Sequence, residues 1–448
     1  MDLTVLKLDV PTSDAHYFAI GHALGSTTKV DSFEVSDLTI DCNLAAGGSS
    51  TACGAVRVMG DEARIQRVKA VNWGTKSSSR PCFVFSVITG APDVGVPEVV
   101  NAGMENCVAI TPAGGNTGVV TAFNVGSQDD LSFTKESHAK SPFIRNCSVD
   151  FETPGQPFTP SVSSPKFRGL SMGWCRGGVV EGNHIHNADI GGPYQDKRSI
   201  RDLIVRNNFF KNVGKGTVLN LGQLGNTLVT SNANLTTSSG VSTVSGGGLN
   251  TATLELGDRV SITTTSPATF TGVYQIASVQ GGGSPQFTIQ TGLTGPATVT
   301  VVKKVLAVSR VIIEGNVIEL LNASGVSAVS IADNNGSGAI AEIPDYLHGD
   351  IILRNNKIRY VDGIPPNDGG ATLIEVEGSK NLMVQNNVLE TIATLPLKNK
   401  RCGHATYFNN RTPAGKLLQG YENDLGIKYG ELETDAEDAF VLALCNKH

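Results

Sequence analysis

VRNNFFK, at residues 205–211, carries the pattern that decides the fold. Val205 is apolar, Asn207 and Asn208 are polar, and Phe210 is apolar again two places beyond the second asparagine. Strand side chains alternate between two faces, so Val205 and Phe210 can both point inward only if the chain turns a corner between them. The same phrase recurs as MENCVAI at 104–110, IRNCSVD at 144–150, VEGNHIH at 180–186, IEGNVIE at 313–319, LRNNKIR at 353–359 and VQNNVLE at 384–390. Aligned on Cys107, Cys147, Asn183, Asn208, Asn316, Asn356 and Asn387, with weaker copies centred on Asp37 and Val68, they are spaced by 31, 39, 40, 36, 25, 108, 40 and 31 residues. Apart from the interval of 108, this is close to the period of a solenoid repeat.

One coil cannot bury an inward face alone, so successive coils are expected to stack in parallel around a shared core. Corner asparagines tolerate left-handed backbone and can bond the next coil, which predicts a ladder of amides. Cys107 and Cys147 are expected to take the ladder position as small, apolar-tolerant thiols. The fold class predicted is all-β, a right-handed parallel β-helix with an inserted antiparallel β module and a C-terminal helix. With its asparagine ladder, the chain resembles the right-handed parallel β-helix proteins of the pectate lyase-like superfamily, over about residues 33–393 outside the insertion. That superfamily includes lyases, hydrolases, epimerases, phage tailspikes and adhesins, so the resemblance implies a fold more sharply than an activity.

The totals agree with a solenoid. A chain of 448 residues exceeds an ordinary single core, whereas a solenoid grows along one axis. The 51 glycines, 17% charged and 6% aromatic residues suit a turn-rich β protein. A net charge of −6 without a basic stripe argues against a nucleic-acid partner. No stretch is long and apolar enough for a membrane span, and no secretory signal is visible at the N-terminus, which fits a virion protein or a piece of a longer chain. The eight scattered cysteines, without a CxxC pair, are expected to be ladder or core thiols.

Five segments follow. Residues 1–32 form an N-terminal strand and a short apolar segment, AHYFAIGHAL, placed to cover the first coil. Residues 33–225 form the first run of coils, and residues 226–305 an inserted module of four alternating strands, beginning at LELGDRVSITTT. Residues 306–395 form the last coils, and residues 396–448 a tail in which KYGELETDAEDAFVLAL has helical periodicity suited to a capping helix.

The chain lacks GxGxxG in a strand-to-helix setting, a Walker loop, HExxH and GxSxG. The polygalacturonase-like motifs of the resembled superfamily are also missing. No cofactor is expected, and calcium has a single candidate acid pair, Asp129 with Asp130. The informative feature lies three places beyond the ladder: Ile110, Asp150, His186, Lys211, Glu319, Arg359 and Glu390 should form an outward row, about 4.8 Å apart. Asp150, His186 and Lys211 are expected to touch, and a carboxylate, an imidazole and an ammonium together can hold an acidic sugar and move a proton beside it. The loops at residues 150–168 and 187–199 leave the same corner and are expected to wall a groove over them. The second supplies Tyr194, Asp196 and Lys197 as further catalytic candidates, and Asp189 and Arg198 for substrate binding. β-Elimination of a uronic acid needs such a set: a cation for the carboxylate, a base for the α proton and an acid for the leaving oxygen. Outward His184, with Trp73 and Phe209 as sugar-stacking rings, completes the expected binding set; Trp174 is expected in the core.

The function expected is a carbohydrate-active protein that binds a polysaccharide along the solenoid and cleaves it by lyase or hydrolase chemistry. The alternative is a non-enzymatic tailspike-, fibre- or adhesin-like protein, for which a homotrimer and an extracellular or virion-associated location are the natural setting.

Overall fold

A chain that alternates its side chains and turns once per copy must coil, and the computed structural model shows that coil. It describes residues 4–10, 16–21, 29–79, 81–88, 98–110, 112, 116–126, 139–152, 158–161, 164–173, 175–196, 200–221, 227–238, 240–246, 248–249, 251, 254, 259–264, 272–281, 284–290, 296–304, 308–321, 327–333, 348–364, 372–393, 396–400, 402, 404–422 and 427–429.

Ten strands that precede the polar corner lie in parallel and in chain order: Glu34–Ser36, Arg64–Gln66, Gly103–Glu105, Phe143–Arg145, Val179–Glu181, Ile200–Arg206, Val308–Glu314, His348–Arg354, Ser379–Gln385 and His404–Phe408. Strands after the corner stack likewise, from Leu38–Asp41 through Ser148–Asp150, His184–Ile190, Phe209–Lys215, Val317–Leu320 and Lys357–Tyr360 to Val388–Leu389. A third set, including Cys82–Val87, Val120–Val125, Phe167–Met172, Tyr194–Asp196, Thr217–Leu221 and Val329–Asp333, closes the coils. The molecule is a parallel β-helix with pre-corner, post-corner and closing layers. Inward residues such as Val180, Val205, Ile313 and Leu353 before the corner, and Ile185, Phe210, Ile318 and Ile358 after it, are buried in one continuous core. Each contributes about 1.5–3 kcal/mol relative to exposure.

The corner holds the ladder. The side-chain amide of Asn183 donates to Oδ1 of Asn208 (2.9 Å), Asn208 to Asn316 (2.9 Å), Asn316 to Asn356 (3.0 Å), Asn356 to Asn387 (3.0 Å) and Asn387 to Asn410 (2.8 Å). Each amide also donates back to a carbonyl in the preceding coil, as Asn208 does to Val180 at 3.1 Å. Cys147 joins through its backbone N–H, which donates to Oδ1 of Asn183 at 2.9 Å. The left-handed residue is the one before the ladder position, not the ladder residue itself: Asn207, Asn355 and Asn386 have φ of 55°, 56° and 54°, and Gly182 and Gly315 take 67° and 64°. Two jobs expected of one asparagine are thus divided between neighbours. Asp37 and Arg67 belong to this left-handed column, with φ of 58° and 51°, so the ladder equivalent in the first copy is Leu38 rather than Asp37.

The insertion leaves the solenoid in register. Ile204 pairs with Ile312, Phe210 with Ile318 and Leu219 with Ile331, as if residues 227–304 were absent. The described residues among them form a closed barrel of six strands, not four: the Ser/Thr-rich stretches Thr227–Ser238 and Val241–Ser245 are strands too. The barrel has its own core around Leu235, Val260, Ile262, Phe287, Ile289 and Val301.

The coils run past both expected ends. Thr4–Lys7 and His16–Gly21 pair in parallel with Leu38–Asp41 and Ala52–Val58, so the described part of AHYFAIGHAL is a coil strand rather than a cover. At the other end HATYFNN supplies a further copy with Asn410 on the ladder, and Gly420–Glu422 stacks on Leu397–Lys400. The described residues contain no α-helix; a 3-10 turn spans Leu44–Ala46. Of the stretch expected to form the C-terminal helix, Lys428 and Tyr429 lie in the strand Ile427–Tyr429, antiparallel to Gly420–Glu422, and the remainder falls outside the described residues. The seven described cysteines are free thiols, six of them buried.

Candidate functional site

The outward row forms where the spacing places it. Asp150 pairs in register with His186, and His186 with Lys211, on three consecutive post-corner strands. His184 lies opposite Phe209, whose ring stands edge-on to both imidazoles, with centroids 5.9 Å from His184 and 6.0 Å from His186. His184 and Lys211 are exposed, and Asp150, His186 and Phe209 are half-buried.

The contacts within the row are unequal. Asp150 Oδ1 accepts the N–H of Glu152 at 2.9 Å and the side-chain amide of Asn187 at 2.8 Å, which ties it to the bend at the end of the strand. His186 Nε2 is buried without a hydrogen-bond partner. Burial holds the His186 pKa below its ordinary value; the Asp150 carboxylate opposes this, and the Lys211 ammonium reinforces it. The imidazole is therefore neutral at pH 7. Beyond Lys211 the register slips between Phe210 and Val213, and Glu319, itself buried, is ion-paired with Arg359. Glu390 accepts the backbone N–H of Tyr360 at 3.1 Å. The row thus divides into an open part, His186 and Lys211, beside the neighbouring outward pair His184 and Phe209, and a part whose carboxylates serve the coil stack.

Several expected site residues take other roles. Trp73 is fully buried, donates its indole N–H to the Ile110 carbonyl at 3.1 Å and packs edge-on against Phe151 at 5.5 Å, so it cannot stack on a sugar. Asp189 is buried and accepts the N–H groups of Ser161 (2.5 Å), Lys166 (2.7 Å) and Phe167 (2.8 Å). Burial pushes its carboxyl above the ordinary carboxylate range against the pull of those donors. It fastens the 150–168 loop to the solenoid instead of facing a ligand. The stretch read as a second loop is mostly strand: His184–Ile190 bends at Asn187 (φ 57°) and continues, and Tyr194–Asp196 joins the closing layer against Val218–Asn220. Its described residues lie in the sheet layers instead of walling a groove over His186. The Tyr194 ring lies under the Arg168 guanidinium at 3.9 Å. Asp196 is the last residue of that strand, and Lys197, Arg198, Trp174, Asp129 and Asp130 lie outside the described residues. Among the described residues, no group of three or more His, Cys, Asp or Glu could hold a metal ion, and no helix is long and apolar enough to cross a membrane.

Two participants went unread. Asn187 and Asn212 lie four places beyond the ladder, in NHIHN and NFFKN, both left-handed, and the Asn212 amide donates to Asn187 Oδ1 at 3.1 Å. With Asn187 donating to Asp150, they make a short second ladder along the far edge of the row. The repeated asparagine at that spacing was the available signal.

A scan against protein-family models finds none that matches the chain, and a search of curated proteins finds no match.

Proposed function

We propose that this protein binds a polysaccharide along the outward post-corner face, with an acidic glycan as the preferred ligand, in the manner of the pectate lyase-like β-helix proteins it resembles. The observation that supports the reading is the open group of His184, His186, Phe209 and Lys211 on adjacent rungs of an extended face. The half-exposed Phe209 ring offers an apolar surface for a sugar ring, and Lys211 a point cation for a carboxylate. His184 and neutral His186 can exchange hydrogen bonds with hydroxyls. An extended, shallow face suits a polymer better than a small molecule, which favours concave pockets.

Binding is favoured over cleavage because His186 Nε2 is covered and Asp150 is engaged with Asn187. For lyase chemistry His186 would have to turn a free nitrogen to the α proton while Lys211 holds the carboxylate. The second reading, a fibre-like structural protein, is supported by the stacking role of the other charges: Glu319 with Arg359, Glu314 with Arg354 and Glu181 with Arg206 knit successive coils. The test is a glycan array followed by calorimetric titration with any acidic polysaccharide retained. Lys211→Ala and His186→Ala are each expected to weaken binding at least tenfold with a melting curve unchanged at pH 7. No retained glycan, or variants that bind as tightly as the parent, would overturn the reading in favour of the fibre.

A further inference from the structure

The pre-corner sheet carries an apolar stripe that the core does not use. Four places before each ladder residue the side chain points outward, and register pairs these positions in one unbroken column: Phe143 with Val179, Val179 with Ile204, Ile204 with Ile312, Ile312 with Ile352, and Ile352 with Met383. Val179, Ile204, Ile312 and Ile352 are partly exposed, and Met383 is 39% exposed. One end is closed by Phe143, buried between the guanidinium groups of Arg64 and Arg145 at 4.6 and 5.0 Å from its ring. At the other end the column runs on to Thr406, in register with Met383, while Phe408, 48% exposed, lies on the flank in register with Gln385. Beyond the covered Phe143, five apolar side chains in a line on a solvent-facing sheet form a patch that marks an interaction site.

The charges beside the stripe indicate what covers it. One flank reads Glu181, Arg206, Glu314 and Arg354 along successive rungs, and the other reads Asp202, Arg310 and Asp350. Within each rung the two flanks have opposite sign: Asp202 with Arg206, Arg310 with Glu314, and Asp350 with Arg354. Signs also alternate along each flank, as the ion pairs Glu181–Arg206, Asp202–Arg310 and Glu314–Arg354 show. Such a checkerboard is complementary to itself. Face to face about a two-fold axis along the solenoid, Asp202 meets Arg206, Arg310 meets Glu314 and Asp350 meets Arg354. About a two-fold axis along the strands and centred between the Ile204 and Ile312 rungs, Asp202 meets Arg310, Arg206 meets Glu314 and Glu181 meets Arg354. In both cases isoleucine lies on isoleucine, as an isologous interface requires.

We infer that this stripe is a self-association surface whose occupant is a second copy of the chain. Six rungs at about 4.8 Å and five residue steps at about 3.3 Å give a footprint of roughly 450 Å² on each copy. Roughly 900 Å² in total lies below the standard size for stable complexes, so the dimer is weak and reversible. Flanking charges set which partner fits more than how tightly it holds.

Sedimentation of the full chain over a concentration series tests this, with Ile204→Lys and Ile312→Lys as variants and Lys211→Ala as a control on the other face. The expected result is a monomer–dimer equilibrium weakened at least tenfold by either isoleucine change, with unaltered circular dichroism and melting, and unaffected by Lys211→Ala. A chain that remains monomeric at roughly 0.5 mM overturns the proposal. So does association that survives both isoleucine variants, or a dimer that forms only after residues 430–448 are removed, since the chain's own tail would then be the occupant.

Discussion

Two outward surfaces meet at the asparagine ladder, and they differ in almost everything except what lies behind them. Before the corner, the outward column runs Phe143, Val179, Ile204, Ile312, Ile352, Met383; after it, the column runs Asp150, His186, Lys211. Behind both, the inward residues are uniformly apolar, Val205 backing the first and Phe210 the second in one copy. A solenoid asks only for the inward pattern and the corner, so its outward positions are free to differ between faces and to carry function.

Changes behind the faces should remove both surfaces together. Phe210→Ala empties a fully buried site and is expected to cost about 3–5 kcal/mol, measured by denaturant unfolding. A loss below about 1 kcal/mol would mean that the coils do not share a continuous core.

The corner should rank next, and it separates two roles. Asn208→Leu removes the side-chain hydrogen bonds to the Val180 carbonyl and Asn316 Oδ1 and those accepted from the backbone and side-chain N–H groups of Asn183, and is expected to cost about 3 kcal/mol. Asn207→Ala, at the exposed left-handed position, should cost only about 1 kcal/mol through backbone strain. Equal losses would contradict the division of labour between the two asparagines.

Replacing residues 227–304 by a short Gly/Ser linker should shift the solenoid's melting temperature by no more than about 3 °C, because the strands on either side already pair in register. Aggregated or protease-sensitive product would place the barrel in the folding core.

The smallest effect belongs to His186. Its pKa is lowered by burial in the folded state, so the unfolded chain takes up a proton at higher pH than the folded one. That contribution to stability is complete well above about pH 6.5 and is lost as pH falls through the unfolded value toward the lower folded one. His186→Ala should flatten the decline in melting temperature between about pH 7 and pH 5, and an unchanged slope would show that the ring is as well solvated as a free imidazole.

Much of this was legible in the chain, for reasons that are local. The alternation around VRNNFFK and its spacing fix the coil, the ladder and the interruption, because each depends on residues a few places apart. Counting three places on from the ladder found Asp150, His186 and Lys211; counting four places back finds the aliphatic column by the same arithmetic. Burial decided from a distance was not legible. Trp73 looks like a loop aromatic until Phe151 packs on it, and Asp189 looks like a loop acid until the 158–167 segment folds over it and donates three N–H groups. The last copy, with Asn410, was hidden because the residue two places beyond it is Thr412 rather than an apolar one.

The most direct test of two separate surfaces on one scaffold is to measure acidic-polysaccharide binding and self-association side by side for Lys211→Ala and Ile204→Lys. Lys211→Ala should lose at least tenfold in glycan affinity and keep its dimer, Ile204→Lys should lose the dimer and keep its glycan affinity, and both should melt with the parent. If either change impairs both properties, or neither change impairs its own, the two faces are not the independent functional surfaces described here.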